Sequence, residues 1–426
     1  MTRILVHIAL RNVLRHGKRT LITALVLTVG IGMFILGDSV LAGMDRMTID
    51  SMVEFSDSSL MIMTPLYKEE MRGFPLEPEY GIAEPEAMLE RLAEILPQAT
   101  AMSPRTQFSA FASNRIDSLP VIGTIVQPDL DARVFKIANN LSEGTWFSES
   151  KEAHTDQQIV LGKVLAQDLG LGIGDWMILS ARAVDDSLNA DEFFITGIVD
   201  VPAQEISQSG IFIPYTAGKR LLGEELPVTT IAVSLVRALT LDNELAESEL
   251  AFQTVSSSVE GITAISIKEA AGDYLAMRTM KAKYSNIMIL VVLLIAGVGI
   301  VNTILMSVFS RVKEIGVLRA YGMLPAQIRS LFSLEGLMIG IIGSLGGVML
   351  GCFGVWATIQ WGIPLDKLMG NIDMGGIPLG GKLQGEWHPA TIGIGFAFGV
   401  LASWLSARIP ASKAGKFEVT DALRFV

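Results

Sequence analysis

Two kinds of patterning alternate along the chain. Four stretches, 20–42, 284–309, 331–361 and 389–407, are almost free of charge, broken only by Asp38 in the first and Glu335 in the third. Between the first two lies a long tract in which apolar residues recur at every second position, or at every third to fourth. A bilayer core about 30 Å thick takes roughly 20 residues of helix, so each apolar stretch reads as a membrane-spanning helix. The first is longer than the ~7–15 residue core of a signal peptide and is expected to remain as a helix. In the long tract, alternating or β-branched runs at 59–63, 108–112, 120–126, 176–180, 192–199, 211–214, 229–236 and 262–267 predict strands. Helical periodicity covers 84–95 and 241–259. Strands interleaved with helices predict an α/β domain with a mixed sheet. Segments 185–191 and 223–227 read as loops whose carboxylates are solvated.

Composition supports a membrane protein carrying one large polar domain. Of 426 residues, 50% are hydrophobic and only 18% charged, with mean hydropathy +0.45, whereas globular chains average about 25% charged. The chain is too apolar to be read as wholly soluble, a disordered, collagen-like or disulfide-scaffold protein is excluded, and the single cysteine, Cys352, cannot close an internal disulfide. Basic residues gather in the head (Arg3, Arg11, Arg15, Lys18, Arg19), in the link between the second and third stretches (Arg311, Lys313, Arg319, Arg329), and in the tail (Arg408, Lys413, Lys416, Arg424). Lysine and arginine flanking spans stay cytoplasmic, so these three segments belong inside and tract 43–283 outside. That tract holds 18 Lys and Arg against 36 Asp and Glu, a balance that argues against nucleic-acid binding. The expected plan is a cytoplasmic lead 1–19, span 20–42, external α/β domain 43–283, span 284–309, cytoplasmic link 310–330, span 331–361, external loop 362–388, span 389–407 and cytoplasmic tail 408–426.

Catalytic chemistry is nearly absent from the sequence. The four histidines, His7, His16, His154 and His388, show no metal-pair spacing, and one cysteine cannot build a zinc cluster. Residues 376–382 imitate the start of a phosphate-binding loop, but Leu383 stands where Ser or Thr must hold magnesium, and no strand-loop-helix frame surrounds them. Nucleotide binding by this chain is therefore not expected. Asp38 and Glu335 fall near the two ends of their spans, within reach of water or basic neighbours rather than at the midplane. On the first span, Leu25, Val29, Met33, Phe34 and Leu36 are candidates for a lateral substrate cleft, although facing lipid is the simpler account of them.

The link is the informative segment. Ile315, Leu318 and Tyr321 recur at three-residue spacing among Arg311, Lys313, Glu314 and Arg319, which predicts a short amphipathic helix. Gly322 is placed to end it, and Pro325 to open the next helix at its first turn. The run Arg311-x-x-Glu314-Ile315-Gly316-x-Leu318-Arg319-Ala320-x-Gly322, followed by Leu334-Glu335-Gly336, resembles the permease subunits of ABC transporters of the FtsX/MacB/LolCE type. The lead Ala9-Leu-Arg-Asn-Val-Leu-Arg-x-x-x-Arg19-Thr20 and the tail pieces Pro410-Ala411-x-x-Ala414 and Ala422-Leu423-Arg424 resemble the same family. So do Ile159-Val-Leu-Gly162-x-x-Leu165-Ala166-x-x-Leu169-Gly-x-x-x-Gly174-Asp175 and Phe194-Ile-Thr-Gly197-Ile-Val, which are similar to its periplasmic domain. Val419 departs from the tail pattern, which often has proline there.

The resemblance implies a four-span helical permease with a MacB-like periplasmic α/β core domain between helices one and two, multi-pass in the bacterial inner membrane. It implies pairing with a second permease, identical or paralogous, over a dimer of separate ATPase subunits that bind ATP and magnesium, with no cofactor in this chain. Arg311, Glu314, Ile315, Gly316, Leu318, Arg319 and Gly322 would form the coupling helix in the ATPase groove, without catalysis of their own. Within the family, the first span's exit and the strand after it are more like the lipoprotein-releasing branch, which extracts lipoproteins from the membrane for a periplasmic carrier. MacB-like export of peptides, toxins or drugs, and FtsX-like signalling to a cell-wall hydrolase, are the alternatives.

Overall fold

The computed structural model describes residues 7–9, 11–12, 15, 17–147, 157–238, 240–364 and 382–414. They form two compact units, one drawing on the described residues up to 45, 277–364 and 382–414, the other on those within 46–276. The chain crosses between them inside helices Gly17–Ser51 and Gly272–Ser310.

The helical unit is built around helix Pro325–Trp361, whose glycines admit neighbours on two sides. A Cβ on Gly343, Gly347 or Gly351 would stand 2.7 Å from the Cβ of Leu27, Ile31 or Ile35 on the first long helix. A Cβ on Gly336 or Gly340 would stand 2.2 Å from the Ala407 Cβ or 2.5 Å from the Ser403 Cβ on helix Pro389–Ala414. Without a hydrophobic force between helices in lipid, such close approach is what packs them. Helix Gly272–Ser310 joins through the hydroxyls of Thr23 and Thr303, 2.7 Å apart, and through Ile300, Ile304 and Val308 in the shared core. Among the described residues three helices are long and apolar enough to cross a membrane: Thr20–Ser56, Pro325–Trp361 and Pro389–Ala414. The second predicted span lies within Gly272–Ser310, of which Gly297–Ser310 forms a shorter apolar helix.

At the other end of the helical unit, residues 384–386 close over the first helix. Ser39 Oγ donates to the Glu386 carbonyl at 2.8 Å, and the Glu386 amide returns a bond to the Ser39 carbonyl at 3.2 Å. Asp38 accepts from Thr391 at 2.6 Å and lies 3.4 Å from His388 Nδ1, so the predicted basic neighbour is present. Arg278 pairs with Asp45 at 3.0 Å.

Among the described residues the α/β unit contains ten strands: β1 Leu60–Met63, β2 Ala99–Ser113, β3 Ser118–Val126, β4 Leu141–Gly144, β5 Gln158–Gly162, β6 Trp176–Arg182, β7 Leu188–Val199, β8 Gly210–Pro214, β9 Thr230–Leu235 and β10 Thr263–Ser266. The expected mixed sheet is observed, in the order β10-β1-β9-β2-β3-β8-β5-β7-β4 with β6 bridging β2 and β7, and with β3–β8 and β5–β7 parallel. Long β2 divides its partners, pairing β9 through 99–105 and β6 through 110–113. The pairings β2-β3-β8-β5-β7-β6-β2 therefore close a circuit around one core, which includes Phe108, Met177, Phe193 and Ile195. A second core lies where helices Pro85–Ile95 and Leu241–Ser258 cover the β10-β1-β9 side with Leu92, Ala251 and Val255. β7 begins at Leu188, so the second half of the segment read as a loop is strand, paired residue by residue with β6. The first predicted helix likewise does not stop at Ala42 but runs to Ser51, followed by a π-helical turn Met52–Ser56.

Residues 46–56 are anchored in the α/β unit. Ile49 and Val53 pack on Leu241, Leu245 and Ile267. Asp50 meets Arg237 at 3.2 Å, Glu54 meets Lys136 at 2.6 Å, and Arg237 also reaches Glu54. Next to this anchor, Asp57 is recessed without a side-chain partner among the described residues. Burial, reinforced by the nearby Glu205 charge, pushes its carboxyl up to about 6.

Two outcomes test this architecture. Gly347→Ala forces its new methyl into Ile31 and should cost about 1–3 kcal/mol, read as a lowered melting temperature of the detergent-solubilised protein, while Gly37→Ala, which lies inside a helix and meets nothing within 4 Å, should leave it unchanged or raise it slightly. Asp57 has a folded-state pKa above its unfolded value, so its ionised form opposes folding at neutral pH and the penalty fades as pH falls from 7 to 4. Asp57→Asn should therefore stabilise the fold by on the order of 3 kcal/mol above pH 7, with no gain near pH 4; thermal unfolding across pH reads both limits.

Candidate functional site

The link folds as a short helix, Val312–Ala320, between the second and third long helices. Gly322 ends it at φ +91°, a conformation that favours glycine. The Met323 amide bonds the Leu318 carbonyl and the Gly322 amide bonds the Arg319 carbonyl, the paired bonds of a Schellman termination. Pro325 opens the next helix at its first turn, and the Gln327 side chain accepts from the Leu324 amide.

An ionic hub fixes how this helix lies. Glu335, only 6% exposed in its side chain, accepts on one oxygen from Arg311 Nη1 at 2.9 Å and from Asn12 Nδ2 at 2.7 Å. Arg311, 11% exposed, turns its Nε to Glu314 at 2.8 Å, and Arg15 approaches Glu314 at 3.9 Å. The lead, the link helix and the third long helix thus meet at one charge cluster. Ile315 packs with Ile304, Val308, Ile328 and Phe332, and Gly316 is buried beside it.

The seven predicted coupling residues therefore divide by direction. Arg311, Ile315 and Gly316 point into the helical unit. Leu318 and Arg319 are half-buried, and Glu314 and Gly322 are exposed. The outward surface carries instead Val317 on the helix, Tyr321 at its C-cap and Leu324 at the cap of the next helix, at 44%, 87% and 60% exposure. Of these, Val317 and Leu324 escaped sequence reasoning; the one available signal was that both are apolar beside a helix whose inward side was already filled. Of the five cleft candidates, Leu25, Val29 and Met33 form one exposed stripe at four-residue spacing. Phe34 and Leu36 are half-buried and pack beside Gly395 and Gly354. No group of three or more His, Cys, Asp or Glu side chains suited to a metal occurs among the described residues. The loop-like segment 376–381 and the tail motif 422–424 fall outside them.

The comparisons match this arrangement in both parts. Residues 20–247 match the MacB-like periplasmic core domain, and residues 286–419 match the FtsX-like permease C-terminal family. The chain belongs to the FtsX/MacB-type ABC permease family. Among this permease's relatives, the macrolide export ATP-binding/permease protein MacB of Nitrobacter winogradskyi is 26% identical over 57% of the chain and 39% of that protein. The lipoprotein-releasing system transmembrane protein LolC of Haemophilus influenzae is 29% identical over 36% of each chain. The LolE protein of the same organism is 23% identical over 94% of this chain and 93% of its own. The match spans less than half the length of the first two of these relatives.

The hub generates a stability test specific to its geometry. Arg311→Met leaves the Glu335 carboxylate buried without its countercharge and should destabilise by about 3–5 kcal/mol, whereas Arg311→Met with Glu335→Met should recover most of that loss. Thermal unfolding of the two single variants and the double variant completes the cycle.

Proposed function

We propose that this permease is a non-catalytic membrane subunit with four spans and both termini in the cytoplasm of a bacterial cell, its α/β domain lying outside the inner membrane. It pairs with a second permease over two ATPase subunits that bind ATP and magnesium. The observation that carries the docking part is the outward surface of the link helix and of the turn that follows it. Val317, Tyr321 and Leu324 present apolar surface away from the helical unit, with Lys313 and Glu314 exposed beside them. An apolar anchor rimmed by charge is the composition of a protein contact centre. Arg311, Ile315 and Gly316 hold that face in position from behind, and Gly322 sets where it ends. Arg319 and Leu318 sit on its flank. ATP-driven closure of the paired subunits would then move the link and, through the long helices, the external domain.

For the cargo, we favour lipoprotein release from the membrane to a periplasmic carrier. Support comes from the near end-to-end match with a protein named for lipoprotein release, against partial coverage of proteins named for macrolide export. The exposed stripe Leu25, Val29 and Met33 suits an acyl-bearing substrate approaching laterally. Export of the MacB kind is the second reading, supported by the core-domain match over 20–247.

Tyr321→Glu and Leu324→Glu, both on exposed positions, should leave the melting temperature within a degree or two yet lower the co-purifying ATPase at least tenfold. Unchanged ATPase recovery and stimulation would remove the docking claim. Mass spectrometry of the same wild-type preparation from native membranes separates the cargo readings: acylated lipoproteins or their carrier support release, and a periplasmic adaptor with an outer-membrane duct supports export.

A further inference from the structure

The α/β unit contains a cavity of about 460 Å³ that no role described above uses. Its floor is the end of the first helix and the π-helical turn, and its walls come from β2, β3, β8 and helix Gln204–Ser209. Most of the surface is apolar and soft: Met52, Met61, Met71, Phe55, Phe74 and Phe212 contribute to it. Methionine walls of this kind adapt to varied hydrophobic bodies, and the aromatic ring faces attract cations.

The charge inside leans negative, although Arg105 opposes part of the burial cost of ionised Asp57. Arg105 lines the cavity, but its guanidinium is consumed by Asp131, with Nε and Nη2 donating to the two carboxylate oxygens at 2.6 and 2.9 Å, and it stacks 3.3 Å from the Phe135 ring centroid. Asp57 has no such partner. Its carboxylate is recessed in the wall, with neither a hydrogen bond nor an ion pair among the described residues, and Glu205 adds a second negative charge at the rim. An unpaired acid next to apolar surface is costly to ionise, and a bound cation removes that cost. An anion would meet two carboxylates and an arginine already neutralised.

We propose that this cavity is a binding site for an amphipathic monocation, with a protonated amine on Asp57 and a hydrophobic body against the methionine and aromatic wall. The inference stands apart from the docking and cargo readings, since the cavity lies wholly within the α/β unit. Protons compete with the amine for Asp57, so affinity falls as pH drops through about 6. The other titratable groups facing it are Glu205 on helix Gln204–Ser209, Arg105 on β2, and Tyr274.

The test uses the full-length protein in lipid nanodiscs, with empty nanodiscs as background, and saturation-transfer NMR of three probes of one shape: 4-phenylbutylamine, 4-phenylbutan-1-ol and 4-phenylbutyrate. The amine should bind above background and at least tenfold more tightly than the alcohol or the acid. Asp57→Asn should reduce amine affinity about tenfold and abolish its pH dependence, and Ala203→Trp, which fills the cavity, should remove binding. Equal binding of amine and alcohol, undiminished amine binding in Asp57→Asn, or no signal above empty nanodiscs would each overturn the proposal. Should either variant fail to fold, the ranking of the three probes on the unaltered protein decides alone.

Discussion

A carboxylate inside an apolar helix must find a countercharge, and Glu335 sets the geometry of everything around the link. Its partner, Arg311, stands at the entrance to the link helix, so satisfying the acid draws that helix against the end of the bundle and fixes its rotation. Asn12 on the same oxygen brings in the lead segment. Once Arg311 is committed inward, Ile315 and Gly316 follow it by helical spacing, and Val317, Tyr321 and Leu324 are left outward. The family motif thus mixes residues with two physical tasks. Some hold the helix from behind, and the exposed ones are available to a partner.

The same third long helix organises the apolar part by subtraction of side chains. Glycines at 343, 347 and 351 lie four residues apart and receive Leu27, Ile31 and Ile35, while those at 336 and 340 receive Ala407 and Ser403 from the other side. Because Leu27, Ile31 and Ile35 are fixed inward, the stripe Leu25, Val29 and Met33 has to face away. The outward surfaces of both the first helix and the link are therefore consequences of what the third helix requires. In both cases an inward commitment made by Glu335 or by the glycine rows decides which residues remain for function.

Much of this was legible in the sequence, for physical reasons that also explain the failures. Apolar runs announce spans because hydrocarbon tolerates little else, and all eight predicted strands appear because alternating or β-branched runs fit a pleated, largely buried sheet. β4, with the sequence Leu-Ser-Glu-Gly, carries no such run, since it is an edge strand and mostly exposed. The N-terminal half of β2 was hidden by Pro104 and polar neighbours, and the start of β7 by the polar run through Asp191. On the link, the three-residue spacing of Ile315, Leu318 and Tyr321 suggested one face. At 3.6 residues per turn, six residues rotate the helix by a third of a turn short of two, so Ile315 is buried and Tyr321 lies almost bare. Sequence showed the helix and its ends, but its rotation depended on the contact between Arg311 and Glu335, which are 24 residues apart.

A helix transmits rotation only as well as its ends are gripped, and the first long helix is held at both. Along the helical unit the glycine rows grip Leu27, Ile31 and Ile35, and residues 384–386 bond back to Ser39. In the α/β unit, Asp50 and Glu54 are tied to Arg237 and Lys136, while Ile49 and Val53 are packed in a core of their own. The two acids lie four residues apart on one side of the helix, so turning it would draw both away from their basic partners. Regular α-helix gives way after this second grip, at the turn Met52–Ser56, and the unpaired Asp57 follows within one residue. The cavity that Asp57 lines therefore has its floor on the segment where the helix ends, so a ligand held there would stiffen the one irregular turn in that connection.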